Sequence, residues 1–285
     1  MSGRILLGLI GAGIQGSLSP KLHAEEARHH GLEVEYRLID LDVLREGNDA
    51  LPRLLKQAAR DGYRGLNVTF PCKQAVIPLL DALSQESTAI GAVNTIVREE
   101  DRFTGHNTDG SGWSWGFQRA LPDADLSHVV LLGAGGAGSA CADAVLRLGA
   151  KRLSIVDREP ARAAALASRL NQHLEGRRAQ VAEDLAAAME SASGLIHATP
   201  TGMTKMPGMP LDERLLRREL WVSDIVYVPL DTPLLQAARR AGCATMDGGH
   251  MNVGQAARGF RLFTGREADA ARMDAHFRSL VRWSG

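Results

Sequence analysis

Glycines at the spacing GxGxxG occur twice in this chain, at Gly11, Gly13 and Gly16 and again at Gly133, Gly135 and Gly138. After a strand, this spacing suits a dinucleotide. The first glycine permits a tight turn, the second lets backbone approach the pyrophosphate, and the third lets the next helix pack on the strand. Both copies follow an apolar run, Ile5–Ile10 and Val129–Leu132, so their surroundings must decide between them. After Gly138 come small residues, then apolar residues at helical spacing, then Gly149 as a stop. The next apolar run, Leu153–Val156, ends in Asp157, where an acid would hold the adenosine ribose. Gly16 is instead followed by Ser17, Leu18, Ser19 and Pro20. Proline favours the first turn of a helix, so that helix is expected to take Ser19 as its cap and Pro20 as its first residue. The third glycine then lies in a loop. Gly133–Gly138, with Ala134, Gly136 and Ala137 between, is therefore read as the cofactor turn, and Gly11–Gly16 as a turn presenting Ser17 and Ser19 to another ligand.

A nicotinamide enzyme that oxidises an alcohol also needs a group to take the hydroxyl proton. Lys73 follows the run Asn67–Cys72, just past a strand end, and Asp109 sits in His106–Gly110, past another strand and at a helix start. By residue type alone, Lys73 is a surface lysine and Asp109 a helix cap. Their places at strand ends, where open α/β sheets bind ligands, make them candidates.

The elements that must position these residues alternate along the chain. Strands are expected at Ile5–Ile10, Glu33–Ile39 and Gly65–Thr69, with helices at Pro20–His30 and around Leu44–Arg60. Short helices near Lys73–Leu80 and Gln85–Ile90 precede an antiparallel pair, Ala92–Val97 and Arg102–Gly105. A second series runs through Val129–Leu132, Leu153–Val156, Ala179–Val181, Gly194–Ala198, Val222–Val226 and Cys243–Met246, before the chain turns helical to its end. This is an α/β chain with parallel strands and room for two domains. Lys plus Arg equals Asp plus Glu at 33 each, so no net field recruits nucleic acid or an anionic membrane. Three scattered cysteines without CxxC, and histidines without ligand spacing, argue against a disulfide framework and a metal site. No signal peptide or membrane-spanning run is visible, so a cytoplasmic protein is expected.

The segments SLSP (Ser17–Pro20), NVTFPCK (Asn67–Lys73), GAVNT (Gly91–Thr95), HNTDG (His106–Gly110) and GQAA (Gly254–Ala257) together resemble the shikimate/quinate dehydrogenase family. The resemblance runs in order from Ile5 to about Phe277, around the turn at Gly133. It implies a substrate domain at 1–108 completed by 248–285, a Rossmann domain at 109–247, and a cleft joining them. It makes Lys73 and Asp109 the catalytic pair. Ser17, Ser19, Thr69 and Tyr227 would hold the substrate carboxylate, and Asn94 and Gln255 the other ring hydroxyls. Thr199, Met203, Ile225, Val226 and Gly248 would touch the remainder of the cofactor.

Cofactor choice turns on Asp157, Arg158 and Arg162. A carboxylate at the end of the second strand bonds the ribose hydroxyls of NAD and repels the extra phosphate of NADP. NADP-using members of the family usually carry a neutral residue there, so the resemblance together with Asp157 implies NAD. Arg158 keeps NADP as a weaker alternative, and Arg162 would flank the adenine. The expected activity is reversible oxidation of shikimate to 3-dehydroshikimate by a monomer or homodimer. Alternatives are a quinate or aminoshikimate dehydrogenase and, in another class, a non-catalytic ligand sensor.

Overall fold

A computed structural model of the chain describes residues 4–176 and 178–282. The chain divides into two compact units, one built from the residues up to Thr108 and from Gln255 onward, the other from Asp109–Gly254.

The first unit runs β1 (Ile5–Gly11), α1 (Ser19–His29), β2 (Val34–Asp40), α2 (Leu41–Leu44), α3 (Leu51–Arg60), β3 (Gly65–Val68), α4 (Cys72–Ala75), β4 (Ala82–Leu83), α5 (Gln85–Ile90), β5 (Thr95–Glu99) and β6 (Arg102–His106). Its sheet has the order β2-β1-β3-β5-β6-β4. β1 lies parallel to β2 and β3, whereas β5 runs antiparallel to β3 and β6. Ile10, Leu66, Val68, Val93 and Ile96 form the core with Leu51, Leu54 and Leu55 of α3.

The second unit follows with α6 (Asp109–Ala120), β7 (Val129–Leu132), α7 (Gly136–Arg147), β8 (Leu153–Val156), α8 (Pro160–His173), β9 (Ala179–Val181), α9 (Leu185–Glu190), β10 (Gly194–His197), β11 (Trp221–Asp224), α10 (Pro233–Arg240) and β12 (Ala244–Met246). Its strands are all parallel in the order β12-β11-β10-β7-β8-β9, the doubly wound arrangement of a nucleotide-binding sheet. β7 and β10 are buried at every position, as central strands covered on both faces must be. The strand order reverses between them. Two long helices end the chain, α11 (Gly248–Thr264) and α12 (Ala270–Arg282).

Several expectations are corrected. Ser19 does not cap α1: it is the first helical residue, Leu18 takes the cap position without a side-chain bond, and the Ser19 N–H donates to Ser17 Oγ at 3.3 Å. The helix expected around Leu44–Arg60 is broken. α2 ends against Arg45 in the left-handed region (φ 57°), and α3 restarts at Leu51 with Pro52 in its first turn. The helix expected at Lys73–Leu80 ends at Ala75, and a 3₁₀ turn holds Ile77–Leu79, because Pro78 has no N–H to continue the ladder.

The second domain boundary also differs, falling after Gly254 rather than after Asp247. Glycines explain the shift. A Cβ on Gly248 would lie 2.4 Å from the Ile225 carbonyl, and one on Gly254 would lie 2.6 Å from the Gly112 carbonyl, so the first turns of α11 are seated on the segment just after β11 and on α6. From Gln255 onward α11 belongs with the first sheet, where the ring of Phe263 fills the space beside Gly65. α12 is tied to α1 through Arg272 and the buried Glu26, at 2.7 Å. No helix among the described residues is long and apolar enough to cross a membrane.

Candidate active site

In the first unit the sequence candidates converge on one edge of the sheet. Ile10 is level with Val68 and Gly11 with Asp40, so the loops after β1, β2 and β3 leave from the same side. Thr95 pairs with both Asn67 and His106, which brings Asn94 and Thr108 to that side too. Ser17, Ser19, Thr69 and Asn94 therefore share an edge. Lys73, half-buried on α4, joins them through its carbonyl, which accepts from Val93 N–H at 2.8 Å. Gln255 lies one turn before Gly259, the residue at which α11 passes over Asn67.

A directed chain of hydrogen bonds runs through this edge. Ser17 Oγ donates to Ser19 Oγ at 3.2 Å, and Ser19 bonds the Tyr36 hydroxyl. Tyr36 donates to Asn67 Oδ1 at 2.7 Å, Asn67 Nδ2 donates to Thr95 Oγ1 at 3.1 Å, and Thr95 donates to Asn94 Oδ1 at 3.0 Å. Asn94 Nδ2 then reaches Thr108 Oγ1 at 3.0 Å. Burial pushes the Tyr36 phenol up, and only the Ser19 contact works against it, so Tyr36 is a neutral hydroxyl. Each donor polarises the next in such a chain. The edge is thus a row of preset neutral donors and acceptors, suited to a small polyhydroxylated acid.

Sequence reasoning missed Tyr36, Asn67, Thr95 and Thr108. A signal was present at Asn67, an amide inside the buried strand GLNV, since a buried amide needs partners.

The turn before this edge has its own acid. Asp40, at the end of β2, accepts from Gly13 N–H at 2.9 Å, Ile14 N–H at 3.0 Å, Gln15 Nε2 at 3.0 Å and Asp42 N–H at 3.1 Å. Burial opposes its charge, but these four bonds hold the carboxyl below the usual range. An acid at the end of the second strand is therefore common to both glycine turns. Asp40 is buried and its bonds are committed to the turn after β1 and to the start of α2, leaving no face for a ribose.

In the second unit the other candidates gather at the carboxyl edge of the parallel sheet. Leu132 is level with Val156 and with His197, and His197 with Asp224, so Gly133, Asp157, Thr199 and Ile225 all follow strand ends on one side. Gly133 has φ +101°, and a Cβ there would lie 2.7 Å from the Ala198 carbonyl. A Cβ on Gly138 would lie 2.0 Å from the Gly133 carbonyl, so only glycine allows α7 to start against the turn. Gly135 has open space where its Cβ would be, and so does Gly16 of the first turn. The third-glycine requirement therefore holds at Gly138 and is absent at Gly16. Gly135 precedes α7, a helix long enough to present free N–H groups to a pyrophosphate. These residues fit a dinucleotide.

Asp157 is half-buried. It accepts from Ala134 N–H at 2.7 Å and from Glu159 N–H at 2.9 Å, which ties the acid to the turn. Arg158 and Arg162 are exposed, and Arg162 pairs with Glu159 at 2.9 Å. Met203 is exposed on the loop after β10, whereas Val226 is buried. Tyr227 belongs to this unit, and burial pushes its phenol up. Asp109, buried in the first turn of α6, also belongs to it. That helix is anchored by Trp113, whose indole N–H donates to Ser223 Oγ at 3.0 Å.

Comparison with known proteins decides the family. Residues 9–96 match the model of the shikimate dehydrogenase substrate binding domain, and residues 117–206 match that of shikimate / quinate 5-dehydrogenase. The chain is 53% identical to a shikimate dehydrogenase (NADP(+)) of Streptomyces avermitilis, over 97% of this chain and 96% of that protein. This chain belongs to the shikimate/quinate dehydrogenase family. Within the family it is also 44% identical to a quinate/shikimate dehydrogenase (NAD(+)) of Corynebacterium glutamicum, over 98% of this chain and all of that one (100%). A quinate dehydrogenase from Corynebacterium glutamicum solved in complex with NAD superposes with a TM-score of 0.91 at 42% identity, covering 97% of this chain and 100% of that one. A shikimate 5-dehydrogenase from Thermus thermophilus, solved with NADP(H) and shikimate, gives 0.85 at 34% identity, over 96% and 99% of the two chains.

Proposed function

We propose that this chain is an NAD-dependent shikimate dehydrogenase, which reversibly oxidises a ring hydroxyl of shikimate to give 3-dehydroshikimate and takes quinate as a second substrate. The observation that carries the reading is the glycine turn at Gly133–Gly138 closed by Asp157, in a chain whose other sheet carries the hydroxyl and amide row from Ser17 to Thr108. The NAD-named relative supports the same choice of cofactor.

Bound NAD supplies the hydride acceptor. The rest of the chemistry belongs to side chains. Ser17 and Ser19 turn their hydroxyl protons away from the bonds they make in the free chain and, with Thr69 and Tyr227, donate to the substrate carboxylate, replacing its hydration without a guanidinium. Asn94 and Gln255 bond ring hydroxyls and set which carbon faces the nicotinamide. Lys73 takes the proton of the hydroxyl being oxidised and returns it in the reverse direction, and Asp109 hydrogen-bonds the substrate and orients the lysine. The carboxylate of Asp157 accepts from the adenosine ribose and repels a 2′-phosphate. Thr199, Met203, Ile225, Val226 and Gly248 line the path of the remaining cofactor. NADP is the weaker cofactor, admitted by the exposed Arg158 beside Asp157.

Lys73→Ala tests the roles. Turnover is expected to fall by about 10²- to 10⁴-fold, the usual contribution of a positioned acid or base, with NAD affinity unchanged. A wild-type protein that binds NAD but turns over neither shikimate nor quinate would instead be the ligand sensor.

A further inference from the structure

Below the carboxyl edge of the nucleotide-binding sheet lie two ionisable side chains that the reaction does not use. His197 ends β10 and Asp224 ends β11. They face each other in register, both fully buried, with His197 Nδ1 2.9 Å from Asp224 Oδ1. Two further bonds extend the pair. Thr232 Oγ1 donates to Asp224 Oδ2 at 2.7 Å, and His197 Nε2 lies 2.5 Å from Thr199 Oγ1. A carboxylate only accepts, so Nδ1 carries a proton, and Nε2 bonds the Thr199 hydroxyl, which can meet it as donor or acceptor.

The strand order reverses next to His197, between β7 and β10, which is where open α/β sheets place their ligands. Between His197 and Thr199 stands Ala198, the residue against which the glycine turn packs. A Cβ on Gly133 would lie 2.7 Å from its carbonyl, and one on Gly138 would lie 3.3 Å from its Cβ. The Thr199 hydroxyl also accepts from Thr201 N–H at 3.3 Å, and Asp224 Oδ1 accepts from Val226 N–H at 3.0 Å. One buried chain thus holds both loops that follow β10 and β11.

We propose that the chain Thr232–Asp224–His197–Thr199 is a positioning device for the cofactor, in which His197 fixes the loop beneath the glycine turn and so sets NAD affinity without touching substrate or cofactor. The proposal rests on Gly133–Gly138 being the cofactor turn.

His197→Asn separates its two halves. The amide nitrogen takes the place of Nδ1 and still donates to Asp224, but the shorter side chain no longer reaches Thr199. The expected result is a rise of about fivefold in the NAD dissociation constant and in KM for NAD, the scale of one lost hydrogen bond. KM for shikimate should stay at its wild-type value, and the melting temperature should fall by no more than the few degrees that one buried hydrogen bond is worth. The double variant His197→Asn/Thr199→Val should bind NAD no more weakly than Thr199→Val alone. NAD affinity within twofold of wild type in a folded His197→Asn, or a double variant whose loss is the product of the two singles, would overturn the proposal. Wild-type protein that fails to bind NAD at all would overturn the cofactor turn itself, before any variant is compared.

Discussion

At the scale of single residues, two acids occupy equivalent places with opposite outcomes. Asp40 ends a second strand and Asp157 follows one, and each accepts N–H groups from a glycine turn, but Asp40 is 3% exposed and takes four donors, while Asp157 is half-buried and takes two. Residue type could not separate them, because burial depends on the loops that close over each strand end. Asp157→Asn keeps one acceptor for Ala134 N–H and removes the charge. Its ratio of NAD to NADP specificity is expected to fall about tenfold, the scale of one charged hydrogen bond exchanged for a neutral one. Specificity constants for both cofactors check this, and an unchanged ratio would move the discrimination elsewhere. The proposal of Lys73 and Asp109 as the catalytic pair came from motif and strand-end position. Tyr36, His197 and Asp224 were not legible in the sequence, since each sits inside a strand pattern that reads as structural and gains its meaning only from the neighbouring strand.

At the scale of elements, the glycine turns differ at the helix each must launch. Gly138 lies hard against the Gly133 carbonyl, whereas Gly16 faces open space. Gly138→Ala is therefore expected to displace the start of α7 and abolish measurable NAD binding, and Gly16→Ala to leave NAD binding and the melting temperature unchanged. Equal losses from both would contradict the division between the turns. Strand positions and most helices were readable from periodicity. The breaks inside α2–α3 and after α4 were misread, because Arg45 in the left-handed region and Pro78 act on backbone geometry that hydrophobic spacing does not report. α1 carries a further consequence. His23 is fully buried and stacks on Tyr36 at a ring separation of 5.2 Å, and burial lowers its pKa to about 4. The unfolded chain binds that proton near pH 6.5, so the folded state loses stability as pH falls from about 6.5 to about 4, by about 3 kcal/mol in total. Denaturant titrations across that range should show this slope, and His23→Phe should flatten it. Glu26 adds loss at lower pH. Although burial opposes its charge, Arg272, the Asp269 N–H and His30 hold its carboxyl below the usual range, so its contribution disappears only as pH falls through that lowered value.

At the scale of the whole molecule, two sheets of different topology carry two different ligand chemistries. The mixed sheet carries neutral hydroxyls and amides, and the parallel sheet carries a glycine turn, a helix start and the half-buried carboxylate of Asp157. The alternating order of elements was enough to read an α/β chain with a nucleotide-binding half. The return of α11 to the first sheet after Gly254 depends on helix packing at Gly112 and Gly65 that no local pattern encodes. Initial rates of the purified protein with shikimate and quinate, each against NAD and NADP, are the direct test of NAD-linked shikimate oxidation. Reduction of NAD with shikimate, a measurable rate with quinate, and a lower specificity constant for NADP with either substrate are expected. Cofactor reduction with neither substrate, or a clear preference for NADP, would contradict that function.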